Sequence, residues 1–388
     1  MRKHWLDNLR WVTVLLVLFY HVIYFYNNKG VFGGIGGFDD GPQYQDVVMY
    51  ILYPWFMPLL FLLAGISAKY ALDSHSCREW LKARTRKLLV PATIGLFVYH
   101  WMTGYFNTHV AAMTQVNDFT ADLPGPIKYI IWAFSGIGHL WFIQDLWLFS
   151  IVLLILKRLD PNDKLHVWCG KLFKGKATIV WMILLGIVFW AAQYTQIMDV
   201  THPLAGLINL YKPLFYLILF LMGHYVFSHN QVHETLAKYW IPLVIIAIAS
   251  GAWLVFTTFG EVNTTPQYLN SVPNCVFGWF ACLAMIGWFQ ACFDKTSAFA
   301  SYMTRSSYGI YIMHYLVIAG LGTILKLHTT LPPLAIYITL TIAVFTLSPL
   351  MYEEIRRIPI IRWCVLGEKR RTKCEQEREI ELPRKVPF

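Results

Sequence analysis

Arg10 and His21 lie eleven positions apart in an otherwise apolar stretch near the start of this 388-residue chain. On a helix, eleven steps of about 100° bring the two side chains to within about 20° of one stripe, roughly 16 Å apart along the axis. An ionisable side chain inside a bilayer is costly, which makes it a functional hypothesis by default. Asp7 precedes Arg10 by three positions, the spacing at which a carboxylate can pair with and orient a guanidinium across one turn. A histidine can take a hydroxyl proton near neutral pH, so His21 is a candidate general base. Arg10 can bind an anionic part of a donor or help to hold an acyl group for attack. Plainer readings stand beside these: a snorkelling arginine at a membrane edge, and a histidine packed and hydrogen-bonded between helices.

Three further clusters have the composition of a site. KARTRKLLVP places Lys82, Arg84, Arg86 and Lys87 ahead of an apolar run, where they serve as a topology signal, a phosphate clamp or both. GHLWFIQD puts His139, Trp141, Gln144 and Asp145 within two turns; an aromatic belt at the membrane surface accounts for Trp141 but not for Asp145. SSYGIYIMHY supplies Ser307, Tyr308, Tyr311 and His314, with Tyr311 and His314 on one face. His100 is a third buried-histidine candidate, with nothing near it in sequence to form a constellation. The seven cysteines form no CxxC or Cys/His metal spacing, so neither a disulfide nor a metal is expected.

These groups must be positioned by membrane helices. The chain is 57% hydrophobic, 16% aromatic and only 14% charged, against roughly 25% charged residues in an average soluble domain. Apolar runs of about twenty residues recur from end to end, predicting an all-α polytopic membrane protein of about ten spans. The spans are read as 11–25, 47–72, 88–105, 140–156, 179–193, 207–227, 240–259, 272–291, 307–325 and 334–352. The first run contains Arg10 and His21 and leads to Asn27, Asn28 and Lys29 without a small-residue cleavage site, so it is not read as a signal peptide.

Lysine and arginine are retained on the cytoplasmic side of short loops. Arg2 and Lys3, the segment from Arg78 to Lys87, the lysines from Lys157 to Lys176, Lys295, Arg305 and the C-terminal basic residues then place both termini in the cytoplasm. The net charge of +10 follows from this bias and from an anionic inner leaflet, and gives no reason to expect nucleic acid as a partner. Residues 1–367 read as the transmembrane domain and 368–388 as a charged, poorly ordered tail. The stretch 127–134, with Pro124 and Pro126 before it and Gly136 and Gly138 after it, is too short to span and reads as an interfacial or re-entrant helix. The glycine-rich loop 27–46 reads as a flexible connection or a mobile lid.

The motifs together resemble those of the acyltransferase 3 family of integral membrane acyltransferases. Asp7, Arg10 and, after ten residues, His21 match its first-span signature; Arg84, Arg86 and Lys87 resemble its arginine-rich stretch before a proline, here Pro91. Further matches are His139-Leu-Trp-Phe142, Ile310-Tyr-Ile-Met-His314 and the segment from Met351 to Trp363 leading to Gly367. The C-terminal segment and the length are most similar to the family's periplasmic glucan succinyltransferase type. The resemblance implies an O-acyltransferase of a bacterial cytoplasmic membrane, with Arg10 and His21 as the functional pair. It would carry a short acyl group, acetyl or succinyl, from cytoplasmic acyl-CoA to a carbohydrate hydroxyl on the outer face, without a metal. Asp7, Arg10 and His21 are then the catalytic group; Arg84, Arg86 and Lys87 hold the donor; His139, Trp141, Asp145, Tyr311 and His314 line the substrate site. Two positions depart from the family's pattern. Ala64-Gly65 replaces its usual Ser-Gly, and Lys87 stands where a second arginine would follow Arg84. A proton-coupled transporter or flippase of a glycan or acylated substrate is the alternative.

Overall fold

The computed structural model describes residues 3–26, 36–38, 43–113, 122–194, 212–262 and 265–369. Most of the 27–46 loop and all but the first two residues of the 368–388 tail lie outside these. Every regular element among the described residues is helical, as required in hydrocarbon, where each backbone N–H and C=O must find its partner within its own segment.

The chain runs through α1 (His4–Tyr24), α2 (Val47–Leu52), α3 (Phe56–Ser74) and α4 (Cys77–Arg84). Next come α5 (Trp101–Met113), α6 (Gly125–Ser135), α7 (Trp141–Leu159), α8 (Lys164–Leu172) and α9 (Thr178–Gln193). The remainder comprises α10 (Pro213–Tyr225), α11 (Asn230–Lys238), α12 (Trp240–Thr258), α13 (Pro266–Leu269), α14 (Val272–Cys292), α15 (Ala298–His328), α16 (Pro333–Arg357) and α17 (Pro359–Leu366).

Among the described residues, seven stretches are long and apolar enough to cross a membrane: α1, Tyr44–Ser74, Gly138–Leu159, α12, α14, α15 and α16. They coincide with seven of the ten spans read from the sequence. The fifth and sixth predicted spans correspond to the shorter apolar helices α9 and α10. The third is not one continuous helix. Thr85–Leu89 and Leu96–His100 are π-helical, with a turn between them, before α5 begins. Pro91 sits in that turn and cannot donate to the helical ladder, so the chain re-registers on either side of it. The Ile127–Phe134 stretch is helical as predicted, within α6, and packs against α5.

Close approach is made by glycine. A Cβ on Gly65 would lie 2.0 Å from the Phe220 carbonyl oxygen, and one on Gly223 would lie 2.2 Å from that of Leu62, so α3 and α10 touch backbone to backbone. Gly104 and Gly136 do the same between α5 and α6, Gly136 resting on the His100 carbonyl. Such contacts replace the hydrophobic drive that lipid cannot supply. The outward faces remain apolar, with Ile245, Ile248 and Phe256 on α12 and Leu334, Ile342 and Leu350 on α16 all exposed, as suits contact with acyl chains. Lys3 bonds to Asn230 and His233, Lys69 to Asp73, and Arg86 to Gly367. The basic segments thus gather at one end of the bundle, here termed the basic face.

Candidate active site

α1 positions the two residues that the stripe argument paired. At its basic-face end, Arg10 Nη1 lies 3.3 Å from Asp7 Oδ1, as the three-residue spacing predicts, and Nη2 donates to Ser67 Oγ at 2.6 Å. Ser67 is the residue that sequence reading missed. The hydroxyl absent at Ala64 arrives from one turn further along α3, on the same face. Arg84, half-buried at the end of α4, stacks over Trp80 at 5.0 Å. Burial, and then the nearby charge of Arg10, lower its guanidinium to about 10. It is still cationic at neutral pH, so two guanidinium groups stand near one another with Asp7 beside one of them, an arrangement that favours an incoming anion.

The other two donor-clamp candidates turn elsewhere. Arg86 Nε donates to the Gly367 carbonyl at 3.2 Å, and Lys87 pairs with Glu368 at 3.3 Å while lying 4.8 Å from the centre of the Tyr308 ring. Tyr308 in turn donates to the Lys87 carbonyl. The C-terminal helix α17 therefore underpins the π-helical basic segment. Gly367, at φ 62°, makes the tightest of these contacts: a Cβ there would sit 2.2 Å from the Arg86 carbonyl oxygen.

Further along α1, His21 Nδ1 lies 2.9 Å from the Val17 carbonyl and 3.2 Å from His314 Nε2. His314 Nδ1 faces the Tyr311 carbonyl, and Tyr311 Oη donates to the carbonyl of His139. The His139 ring is 5.0 Å from that of His314 and stacks on Tyr315 at 5.2 Å. His100 follows, 5.5 Å from His139, carried in by the last residue of the π-helical segment before α5 and fully buried. Neither ring nitrogen of His100 has a hydrogen-bond partner. Four histidines from four separate chain segments thus form one row, and the residue that sequence reading ranked lowest belongs to it.

The remaining two predicted substrate residues have other surroundings. Trp141 packs into an aromatic cluster with Phe61 at 6.1 Å and Tyr216 at 5.2 Å. Asp145 is 2% exposed and its Oδ2 has no partner. A buried carboxyl oxygen with unspent hydrogen-bonding capacity is unusual enough to mark a functional position. Among the described residues no group of three or more His, Cys, Asp or Glu could hold a metal ion.

A bundle of apolar helices long enough to span a membrane, with a basic face and an interior row of histidines, defines an integral membrane protein with a polar interior. The chain belongs to the acyltransferase 3 family, whose model, described as an acyltransferase domain, matches residues 3–353. It is an acyltransferase of the class that transfers groups other than aminoacyl groups. The curated proteins contain no match to it, and neither do the solved structures.

Proposed function

We propose that the protein moves a short acyl group, acetyl or succinyl, from acyl-CoA at the basic face to a carbohydrate hydroxyl near the opposite face, with His21 as general base and no metal. The observation that carries this reading is the engagement of His21: its Nδ1 is held by Val17 and His314, leaving Nε2 as the nitrogen able to receive a proton. Arg10 and Arg84 supply the positive end of the route, where the donor phosphates would sit, with the thioester end reaching toward His21. In this reading the basic face is cytoplasmic, by the retention of positive charge, in a bacterial inner membrane.

The transfer balances without an outside reagent. The acceptor O–H bond breaks and its proton goes to His21 Nε2; the oxygen bonds to the acyl carbon as the C–S bond breaks. The proton then passes to the departing thiolate, giving the acyl ester and free coenzyme A. The finer assignment, suggested by the C-terminal motif, is succinyl transfer to a periplasmic glucan.

The test uses purified protein in nanodiscs with acetyl-CoA or succinyl-CoA and a glucose oligosaccharide. Thiol release should match the gain of acyl mass on the oligosaccharide, and His21→Ala, confirmed as folded, should abolish both. Full transfer by His21→Ala would overturn the role of the histidine. Gradient-dependent uptake of the oligosaccharide without covalent change would overturn the reaction.

A further inference from the structure

His21 and His314 stand 293 residues apart in sequence, yet meet nitrogen to nitrogen. In both rings Nδ1 faces a backbone carbonyl, of Val17 for His21 and of Tyr311 for His314. A carbonyl oxygen can only accept, so each Nδ1 carries the proton and each Nε2 is bare. The His21 Nδ1–H is therefore shared between Val17 and His314 Nε2, and the lone pair of His21 Nε2 is left for the acceptor hydroxyl.

We infer that His314 is not a substrate ligand but the positioning residue of the base: it fixes the rotation of the His21 ring and takes up part of the positive charge when Nε2 gains a proton. This rests on the reading of His21 as general base. In hydrolases with a nucleophile, a histidine and an acid, the same task falls to a carboxylate. Among apolar spans a permanent anion would need a partner of its own, whereas a second imidazole places no net charge in the membrane until the proton arrives. The surroundings suit that task. His314 is fully buried, and Tyr311 at 5.5 Å, Tyr315 at 6.1 Å and His139 at 5.0 Å hold its ring. Tyr20, Tyr24 and Tyr315 face His21. The rings facing the pair are thus tyrosines and one further histidine. Through the transfer described above, the Nδ1–H stays between the two imidazoles while the acceptor's proton arrives and leaves at Nε2.

The experiment compares His314→Leu and His314→Gln with the wild type, in nanodiscs with acetyl-CoA or succinyl-CoA and a glucose oligosaccharide. Rates are followed across the acid and neutral range, with thermal unfolding in parallel. Leucine cannot accept the Nδ1–H and should lower kcat about 100-fold, with the acceptor KM little changed; glutamine, whose amide oxygen can accept it, should restore about tenfold of that loss. The acidic limb of the kcat/KM profile should move to lower pH in His314→Leu and return toward its place in His314→Gln. Wild-type rates and an unmoved limb in His314→Leu would overturn the inference. So would equal loss in both variants with a matching drop in unfolding temperature, which marks a packing role. A wild-type protein that releases no thiol with either donor overturns instead the proposed reaction, and with it any base for His314 to position.

Discussion

His166 and His229 stack face to face at 4.0 Å on the basic face, while His21 and His314 meet through their ring nitrogens inside the bundle. The two regions are similarly rich in imidazole but differ in how that imidazole is engaged. On the basic face, His166 Nε2 is 3.0 Å from Ser228 Oγ, and His229 Nε2 reaches the His166 carbonyl at 3.1 Å. Beside them, Lys69 pairs with Asp73 and Asp163, and Lys157 also pairs with Asp163. There the polar groups hold one element to another: the end of α3, the end of α7, α8 and the turn after α10. In the interior row, His21 is held through Nδ1, and neither ring nitrogen of His100 or of His139 has a hydrogen-bond partner. A buried histidine in a membrane protein is therefore not a site by virtue of burial. What sets the interior pair apart is that one imidazole is held by the ring nitrogen of another, His21 by His314, whereas His166 and His229 stack face to face and are tied to a hydroxyl and a backbone carbonyl.

The comparison breaks most visibly if the wrong region carries the reaction. His21→Asn should lower acyl transfer by about 1,000-fold, within the range general-base removal costs, whereas His166→Asn and His229→Asn should stay within about twofold of the wild type, measured as thiol release per folded protein. A large loss in the latter pair would erase the difference between the two regions.

Ser67 and Lys69 sharpen it, because they are two residues apart on α3 and point to different regions. Ser67→Ala removes a hydrogen bond that orients the Arg10 guanidinium while leaving its pairing with Asp7, and should slow turnover on the order of tenfold with a smaller effect on unfolding temperature than Lys69→Met. Lys69→Met should do the reverse. It leaves Asp163 with Lys157 and a half-exposed Asp73, so stability should fall by about 1 kcal/mol with turnover unchanged, read by thermal unfolding beside the thiol assay.

The smallest effect is in pH. Burial, then the neighbouring charges of His229 and Lys69, hold His166 at about 4, below the usual 6.5. Between those values the unfolded chain binds a proton that the folded chain does not. The folded state should therefore lose stability as pH falls through that window and be insensitive to this residue above it. His166→Gln should flatten that part of the unfolding-temperature profile; an unchanged slope would show that other groups set it.

Much of this arrangement was legible in the sequence, for reasons that can be named. Period and length gave seven spans directly, and the three-residue spacing gave the Asp7–Arg10 pair. The break in the third span was signalled by Pro91, yet an apolar run on both sides of it reads as one helix. Ser67 carries no signal of its own, because it lies one turn beyond Ala64, where the family places its hydroxyl; on the same face it reaches the Arg10 guanidinium. His100 had no local signal at all: it joins the row where α6 packs on the chain around it, with Gly136 against the His100 carbonyl and Gly104 against that of Trp132. Trp141 is two residues from His139 in sequence, but a helix turns successive residues to different faces, and its ring packs on Phe61 and Tyr216. The tie between Arg86 and Gly367 spans 281 residues, a separation that no local pattern encodes.

That tie bears on how the protein is made. A chain emerges from its N-terminal end and folds as it does so, so α1, with Asp7, Arg10 and His21, can be in place early. The basic segment cannot take its final shape until Gly367 has been synthesised and α17 has docked beneath Arg86 and Lys87. The half of the route that would meet the donor is thus completed last, and a nascent chain held in the membrane has the stripe of α1 before it has a finished place for anything to bind.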